Sequence, residues 1–165
     1  VNGDLYVDGG SITIGNGSTL IINGNLYIAT GSLNIGNSSK VTVTGMMFMS
    51  GNLQAGNSTV LTLGKESWVS GGITFGNSCN LSGAQTMVAY GNIMFSNNDV
   101  IGNGQKQWII STNGGISLGN GVQLTGYLYA STAAVTTGNN TNVTGSIIAK
   151  SVTIGNNCLV TYQKN

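Results

Sequence analysis

The side chains that could carry acid–base or metal chemistry are few in this chain, and they are far apart in the sequence. The acids are Asp4, Asp8, Glu66 and Asp99, and the chain has no histidine and no arginine. Catalysis by a general acid and a general base needs two such groups within several ångströms of one substrate bond. Because these four acids do not converge, we predict that the protein is not an enzyme, with no catalytic residues and no cofactor.

Metal, nucleic-acid and membrane sites are also poorly supported by the composition. A metal site usually needs histidines or a cysteine cluster, and the chain has only two cysteines. A nucleic-acid site needs clustered basic residues, whereas the five lysines are scattered along the chain. Spanning a bilayer takes roughly 20 apolar residues in a row. We therefore predict no metal site, no nucleic-acid partner and no membrane segment within this chain.

Aromatic residues give the clearest positive signal, because they recur at an almost constant spacing. Intervals of 21, 21 and 20 residues separate Tyr6, Tyr27, Phe48 and Trp68. Apolar residues flank the first rings, as in Leu5-Tyr6-Val7. Side chains alternate along a strand, so these flanking residues should point inward and the rings outward. The predicted surface-binding stripe comprises Tyr6, Tyr27, Phe48, Trp68 and, further along, Tyr129.

Three interpretations of this stripe stay open from the sequence. Aromatic residues favour strands and pack on one another, so the stripe could serve stability alone. It could be covered by a protein partner or by another segment of a parent protein. Rings on alternate coils of a solenoid would be about 9.6 Å apart, a spacing that suits sugars along a glycan.

The element that positions these rings is a repeated Gly-Asn corner. It closes an apolar alternation at Gly15-Asn16 and returns about every 20 residues, with Ser96 replacing the glycine once. The asparagines of the eight copies are Asn16, Asn37, Asn57, Asn77, Asn97, Asn120, Asn139 and Asn156. A fixed period of this length indicates a solenoid, in which each unit buries its apolar face by stacking on its neighbours.

Alternating apolar columns flank every corner and predict short strands. Ile12 and Ile14 begin the two inward columns before the corner, and Leu20 begins the one after it. Period-two alternation punctuated by Gly, Asn and Ser excludes helix over nearly all of the chain. We predict an all-β fold, a single-stranded parallel β-helix of about eight coils of roughly 20 residues, right-handed as crossovers usually are. Residues 1–165 should form one β-solenoid domain that is part of a longer parent protein.

Two structural roles are expected for the corner asparagines. Asparagine tolerates the left-handed backbone conformation that tight corners need. Stacked amides can also form a hydrogen-bonded ladder along the rod. We therefore interpret this asparagine ladder as structural rather than as a ligand site.

The repeat register also separates the two cysteines. Cys79 and Cys158 occupy the same column four units apart. Four coils correspond to roughly 19 Å, well beyond the roughly 7 Å limit between the Cα atoms of a disulfide. We predict that both cysteines are free.

A further exposed column, from Thr13 to Thr153, is similar to the threonine ranks of ice-binding solenoids. Asn34, Gln54 and Met94 interrupt it. An ice-binding solenoid is therefore a less favoured alternative.

The last forty residues resemble the end of the β-helix domain of PilX-like proteins, which are associated with bacterial type IV pili. The resemblance is carried by Gly126-Tyr127-Leu128-Tyr129-Ala130, by Gly145-Ser146-Ile147-Ile148-Ala149 and by the closing Val160-Thr161-Tyr162. Bactofilins, which are polymer-forming β-helical proteins, resemble the earlier coils in their general pattern and are the competing family. The pilus resemblance implies an extracellular or cell-surface domain of a minor pilin, carried behind a hydrophobic pilin helix.

Together these observations predict a non-enzymatic structural or adhesive surface domain associated with type IV pili. Its flat face would contact a surface, a glycan or a protein such as a pilin subunit. The alternative is a structural solenoid that assembles with itself into a bactofilin-like filament, since open terminal coils are templates for further strands.

Overall fold

The computed structural model describes residues 1–83 and 86–162, and these form twenty β-strands without a helix. The coils are numbered 1 to 8 by their corner asparagines, from Asn16 in coil 1 to Asn156 in coil 8. Each coil supplies one strand to each of three faces before the chain passes to the next coil. Most strands are three or four residues long, because Gly, Asn and Ser end each alternating run. The strands therefore follow the period predicted from the Gly-Asn corners.

The three faces take every third strand along most of the chain. Face 1 contains β1 (Leu5–Val7), β4 (Leu26–Ile28), β7 (Met47–Met49), β10 (Ser67–Val69), β13 (Thr86–Ala89) and β16 (Gln107–Ser111). Face 2 contains β2 (Ile12–Ile14), β5 (Leu33–Ile35), β8 (Leu53–Ala55), β11 (Ile73–Phe75), β14 (Ile93–Phe95) and β17 (Ile116–Leu118). Face 3 contains β3 (Thr19–Ile22), β6 (Lys40–Val43), β9 (Val60–Leu63), β12 (Asn80–Ser82), β15 (Val100–Ile101) and β20 (Leu159–Thr161).

Two long strands complete the rod by bending through successive faces. They are β18 (Gln123–Thr137) and β19 (Asn142–Thr153), and their residues pair with strands of all three faces. Gly126 and Gly145 lie at one bend with φ of 148° and 151°. A side chain on Gly126 would collide with the backbone of Gln107 in the preceding coil. Glycine therefore allows the chain to turn there without interrupting the strand.

Every coil pairs in parallel with the equivalent residues of the next coil. Leu5 pairs with Leu26, Ile12 with Leu33 and Leu20 with Val41. The same register continues to the end, where Val143 pairs with Val160. These pairings confirm an all-β parallel solenoid of about eight coils.

The inward columns form one continuous hydrophobic core inside the rod. Leu26, Met47, Met87 and Ile109 are fully buried along face 1. On face 2, the rings of Phe75 and Phe95 stack with centroids 5.2 Å apart. Burying a side chain of this size stabilises the fold by roughly 1.5–3 kcal/mol. Because each coil's inward residues lie against those of its neighbours, stacking supplies the core that no coil has alone.

The corner asparagines do not adopt the left-handed conformation, so that part of the interpretation was wrong. Positive φ occurs at the next residue instead, with 60° at Ser78 and 59° at Asn98. The series at that position is Gly17, Ser38, Ser58, Ser78, Asn98, Gly121, Asn140 and Asn157. In coils 1 to 7 the incoming strand ends two residues before the asparagine, and the residue after the asparagine makes the reversal. The reason for an asparagine at each corner must therefore lie in its side chain.

Both cysteines are free. Cys79 is buried in coil 4 and Cys158 is partly buried in coil 8. Each points into the corner between face 2 and face 3, where its Sγ donates to a glycine carbonyl of the preceding coil. Their separation by four coils follows the register predicted from the repeat.

Candidate functional site

Face 1 brings the predicted aromatic residues into one column. Tyr6 pairs with Tyr27, Tyr27 with Phe48 and Phe48 with Trp68. The column continues through Val88 and Ile110 before it reaches Tyr129 and Ile148. The first four rings are therefore contiguous, and two aliphatic coils separate Tyr129 from them.

The first three rings stack on one another along the rod. Centroids of Tyr6 and Tyr27 are 4.6 Å apart with planes 9° apart, and those of Tyr27 and Phe48 are 5.6 Å apart with planes 3° apart. Nearly parallel rings at this separation cover one another's faces. Tyr6 remains 69% exposed and Trp68 44% exposed, whereas Tyr27 and Phe48 are partly buried. The middle of the stripe thus offers ring edges, rather than open ring faces, to a ligand.

An apolar groove of about 430 Å³ runs beside these rings across four coils. It exists because the residues two places after each ring are small in coils 2 to 4, namely Ala29, Ser50 and Ser70. Ile28 and Met49 also border the groove, although both residues are buried, and Asp8 lies at the first coil. We call the rings and this depression together the aromatic groove, defined by Tyr6, Tyr27, Phe48, Trp68, Ala29, Ser50 and Ser70. Its volume lies within the range of ligand pockets, roughly 300–1,000 Å³.

Hydrogen bonds at the coil 1 end tie the groove to the corner beside it. Asp4 accepts from the backbone N–H of Asn25 at 2.7 Å and from the Tyr6 hydroxyl at 3.4 Å. The backbone hydrogen bond from Asn25 is the main cause of the lowered pKa of Asp4. The pKa of Tyr6 is raised, first by desolvation and then by the nearby Asp4 charge. Tyr6 therefore remains a neutral hydrogen-bond donor at this end.

A second ring pair on face 1 was missed by the sequence reasoning. Trp108 and Tyr127 stack with centroids 4.4 Å apart. They lie two residues before the main column, since Trp108 pairs with Tyr127 and Ile110 pairs with Tyr129. The interval from Asn97 to Asn120 is the longest between corners, so the period alone does not decide whether Ile109 or Ile110 belongs to the main column. For the same reason it does not assign a column to Trp108.

The corner asparagines form a ladder of side chain to backbone hydrogen bonds. Each Oδ1 accepts from the backbone N–H of the asparagine in the next coil, at 2.7 to 3.0 Å over all seven steps. Direct bonds between amide side chains join Asn57, Asn77 and Asn97. The ladder therefore satisfies backbone donors at an exposed corner, which is a structural task.

Shorter ladders occupy the other two corners, and the sequence reasoning did not identify them. Between face 1 and face 2, the Ser11 hydroxyl accepts from the Ser32 N–H, and Ser32 accepts from the Asn52 N–H. Between face 3 and face 1, Asp4 accepts from Asn25 and Asn25 from the Met46 N–H. Serine, asparagine and aspartate serve the same purpose because each places an oxygen one or two bonds from Cβ.

The acids stay apart in three dimensions as they do in the sequence. Asp4 and Asp8 lie in coil 1, Glu66 lies at a corner before β10, and Asp99 is buried in coil 5. Across residues 1–83 and 86–162, no group of three or more His, Cys, Asp or Glu side chains could hold a metal ion. The same ranges contain no helix long and apolar enough to cross a membrane.

The threonine column predicted on face 2 is present but irregular. Thr13 pairs with Asn34, Asn34 with Gln54 and Gln54 with Thr74. Met94 follows Thr74. The side chains therefore differ in length and polarity from one coil to the next along this face.

Comparison with known proteins assigns a family without assigning a function. A family model described as "Domain of unknown function (DUF7305)" matches residues 67–165, more than half of the chain. No curated protein and no solved structure matches the chain. The matched range begins at β10, so it includes Trp68 and Tyr129 but not the first three rings of the aromatic groove. The chain belongs to the DUF7305 family.

Proposed function

We propose that this solenoid is a non-enzymatic structural domain displayed at the cell surface and associated with type IV pili, where its aromatic groove contacts another protein. The observation that carries the proposal is the groove itself, an apolar depression beside stacked rings on a rod. An exposed apolar surface of this kind typically marks an interaction site. The proposal extends the resemblance of the last forty residues to PilX-like proteins.

The ring geometry favours a protein over a glycan as the occupant. Sugars are held by ring faces, and in this column the stacking of Tyr6, Tyr27 and Phe48 covers the faces between them. What the groove offers is ring edges and a floor of small residues, Ala29, Ser50 and Ser70. Such a surface suits apolar side chains of a partner, because burial of apolar area is its main source of affinity.

The rod supports this use because it holds the rings in a fixed row. Tyr27 and Phe48 lie on three-residue strands whose flanking residues, such as Leu26 and Met49, are buried. Little side-chain entropy remains to be lost when a partner binds to rings that are already packed. A pilin subunit is the partner that the PilX-like resemblance points to.

The test is co-sedimentation of the purified domain with purified type IV pili. We expect the wild-type domain to sediment with pili and the double variant Tyr27→Ser, Trp68→Ser to lose most of this binding. The matched control is Tyr162→Ser, which removes an exposed ring in the last coil, away from the groove. Equal sedimentation of the double variant and the wild type would exclude the groove as the contact. Binding to polysaccharide-coated beads without binding to pili would replace the protein partner with a glycan.

A second candidate function, assembly with further copies of the chain, is supported by the last coil. In its inward columns, Val152, Ile154 and Val160 are 43% to 47% exposed in this structure. A second copy placed head to tail would cover these residues with Ile12, Ile14 and Leu20 of its first coil. The same placement would bring Asn16 next to Asn156 and continue the asparagine ladder.

Electron microscopy and analytical ultracentrifugation test this assembly. Filaments, or oligomers that grow with concentration, would support it, and Val160→Lys should abolish them by placing a charge in the junction. Ile21→Lys is the matched control, because Ile21 is equally exposed but lies on the side of the rod. Monodisperse single rods at high concentration would exclude self-assembly and would leave the proposed groove contact untouched.

A further inference from the structure

An interior column of small polar residues runs beside the asparagine ladder, three places after each corner glycine. In several coils, the side chain donates a hydrogen bond to the corner glycine carbonyl of the preceding coil. Ser39 donates to Gly15 at 2.8 Å, Thr59 to Gly36 at 3.3 Å, Cys79 to Gly56 at 3.0 Å, Thr141 to Gly119 at 2.8 Å and Cys158 to Gly138 at 2.9 Å. A donor at this position therefore satisfies a carbonyl inside the corner.

Members of this column also accept a hydrogen bond from a backbone N–H of the preceding coil. The hydroxyl of Ser39 accepts from the Ser18 N–H at 3.2 Å, and the Cys158 sulfur accepts from the Thr141 N–H at 3.4 Å. The site thus calls for a side chain that accepts from one backbone group and donates to another. Hydroxyls and thiols can do both.

Coil 5 places Asp99 in this column. The side chain is 1% exposed, and its Oδ1 accepts from the Cys79 N–H at 2.7 Å, as the column requires. Its second oxygen, Oδ2, is buried and accepts no hydrogen bond from the described residues. The carbonyl that corresponds to this oxygen by register is that of Gly76. If the carboxylate is ionised, Oδ2 and the Gly76 carbonyl oxygen are two acceptors that face each other without a hydrogen between them. A protonated carboxylic acid supplies the missing donor.

We propose that Asp99 is protonated in the folded protein in mildly acidic solution, with the Oδ2–H donating to the Gly76 carbonyl, and that loss of this proton weakens the solenoid as the pH rises towards neutral. The step is a simple ionisation, in which the O–H bond breaks, the carboxylate keeps the electron pair and water takes the proton. The buried anion then has one oxygen without a donor, which is a costly arrangement inside a protein.

The groups around Asp99 agree with a neutral side chain. Cys79 of coil 4 is the titratable group in contact with it, and burial is the main cause of the raised pKa of that thiol, which therefore stays neutral beside Asp99. On the other side, coil 6 places the apolar Val122 in register with Asp99. Burial raises the pKa of Asp99 to about 6, and the hydrogen bond from the Cys79 N–H acts in the opposite direction. The Ser96 backbone has a smaller effect in that same direction, but it does not reach Oδ2 with hydrogen-bond geometry.

The direction of the pH effect follows from these two states. In the unfolded chain the pKa of Asp99 is near the ordinary aspartate value of 3.8, and in the folded chain it is about 6. Between these two pKa values the folded state binds more protons than the unfolded state, so the free energy of unfolding falls as the pH rises. It levels off above the pKa of the folded state. Each unit of difference between the two pKa values corresponds to a tenfold change in the folding equilibrium constant, so this constant should fall by about one hundredfold from well below the unfolded pKa to well above the folded pKa.

The experiment compares urea unfolding of the wild type and Asp99→Asn from pH 4 to pH 7.5. An asparagine can accept from Cys79 and donate to Gly76 at every pH. We therefore expect the ratio of the two folding equilibrium constants to shift by about fiftyfold in favour of the variant between pH 4 and pH 6.5, because the unfolded aspartate is already partly ionised at pH 4. Asp99→Thr, which copies Thr59 and Thr141, should behave in the same way. The control is Asp8→Asn, which removes an exposed carboxyl. Its folding equilibrium constant should depend on pH as that of the wild type does.

A carbon-13 NMR titration of the Asp99 carboxyl in the folded protein provides a measurement that does not depend on unfolding. A midpoint near pH 6 would support the proposal. A midpoint near 4, or a ratio between wild type and Asp99→Asn that does not change with pH, would overturn it.

Discussion

The corner offers two adjacent positions at which opposite stability changes are expected. Asn77 supplies the acceptor of the ladder, and Ser78 makes the reversal at a φ of 60°. Truncating the first should destabilise the rod, and replacing the second with glycine should stabilise it. The pair tests whether asparagine is placed at the corner for its side chain or for its backbone.

The magnitude for Asn77→Ala follows from the bonds that it removes. Its Oδ1 accepts from the backbone N–H of Asn97 at 3.0 Å and from the Asn97 side chain at 3.1 Å. Water reaches this exposed corner, so it partly replaces the lost acceptor, and we expect a cost of about 1 kcal/mol rather than the full desolvation penalty. Asn77→Asp keeps an acceptor oxygen and should retain most of the stability.

Ser78→Gly has the opposite expectation. The left-handed conformation costs roughly 1–2 kcal/mol for a residue with a Cβ, and glycine loses roughly 0.5–1 kcal/mol in extra backbone entropy. The net gain should be about 0.5–1 kcal/mol. Gly17 and Gly121 already occupy this position in coils 1 and 6.

Urea unfolding followed by circular dichroism measures these changes, with global and stepwise fits compared because solenoids can unfold in parts. The control is Asn34→Ala, which truncates an asparagine whose side chain has no hydrogen bond within the described residues. If Asn77→Ala costs no more than Asn34→Ala, or if Ser78→Gly destabilises the protein, the ladder account of the corner is wrong.

Three further predictions concern the packing inside the rod. Gly64→Ala should destabilise the protein strongly, because its Cβ would lie against the Thr44 backbone, whereas Gly9→Ala meets nothing within 4 Å and should be tolerated; thermal unfolding compares the two. Leu53→Ala should cost about 2–5 kcal/mol, since Leu53 is fully buried, while Val60→Ala on the outer side of β9 should cost far less. Iodoacetamide should label Cys158 faster than Cys79 in the folded protein by mass spectrometry, because Cys79 is buried and burial raises the pKa of its thiol; equal rates would contradict this placement.

The repeat alone was sufficient to predict the solenoid, its coil number and its inward columns. Stacked parallel coils repeat one environment, so a residue's place in the period determines which side of the sheet it faces. That is why the inward columns that begin at Leu5, Ile12 and Leu20 continue in the core. Their next members, Leu26, Leu33 and Val41, are buried there. The same argument put Tyr6 and Tyr27 in one column.

The direction that each side chain takes within the stacked coils could not be predicted from the period and is known only from the tertiary structure. The period places Tyr27 between Tyr6 and Phe48, but only packing decides that the rings cover one another and leave a groove beside Ala29 and Ser50.

The corner shows the same division between sequence and structure. Asparagine suits both a left-handed turn and a hydrogen-bonded ladder, and the sequence does not distinguish these uses. The backbone places the reversal one residue later and leaves the Asn77 oxygen facing the next coil. Asp99 likewise matches the cysteine column by register, but its unpaired oxygen becomes evident only when the neighbouring coils enclose it. Period determines the face that a residue occupies, whereas the contacts between coils determine which of its atoms are satisfied.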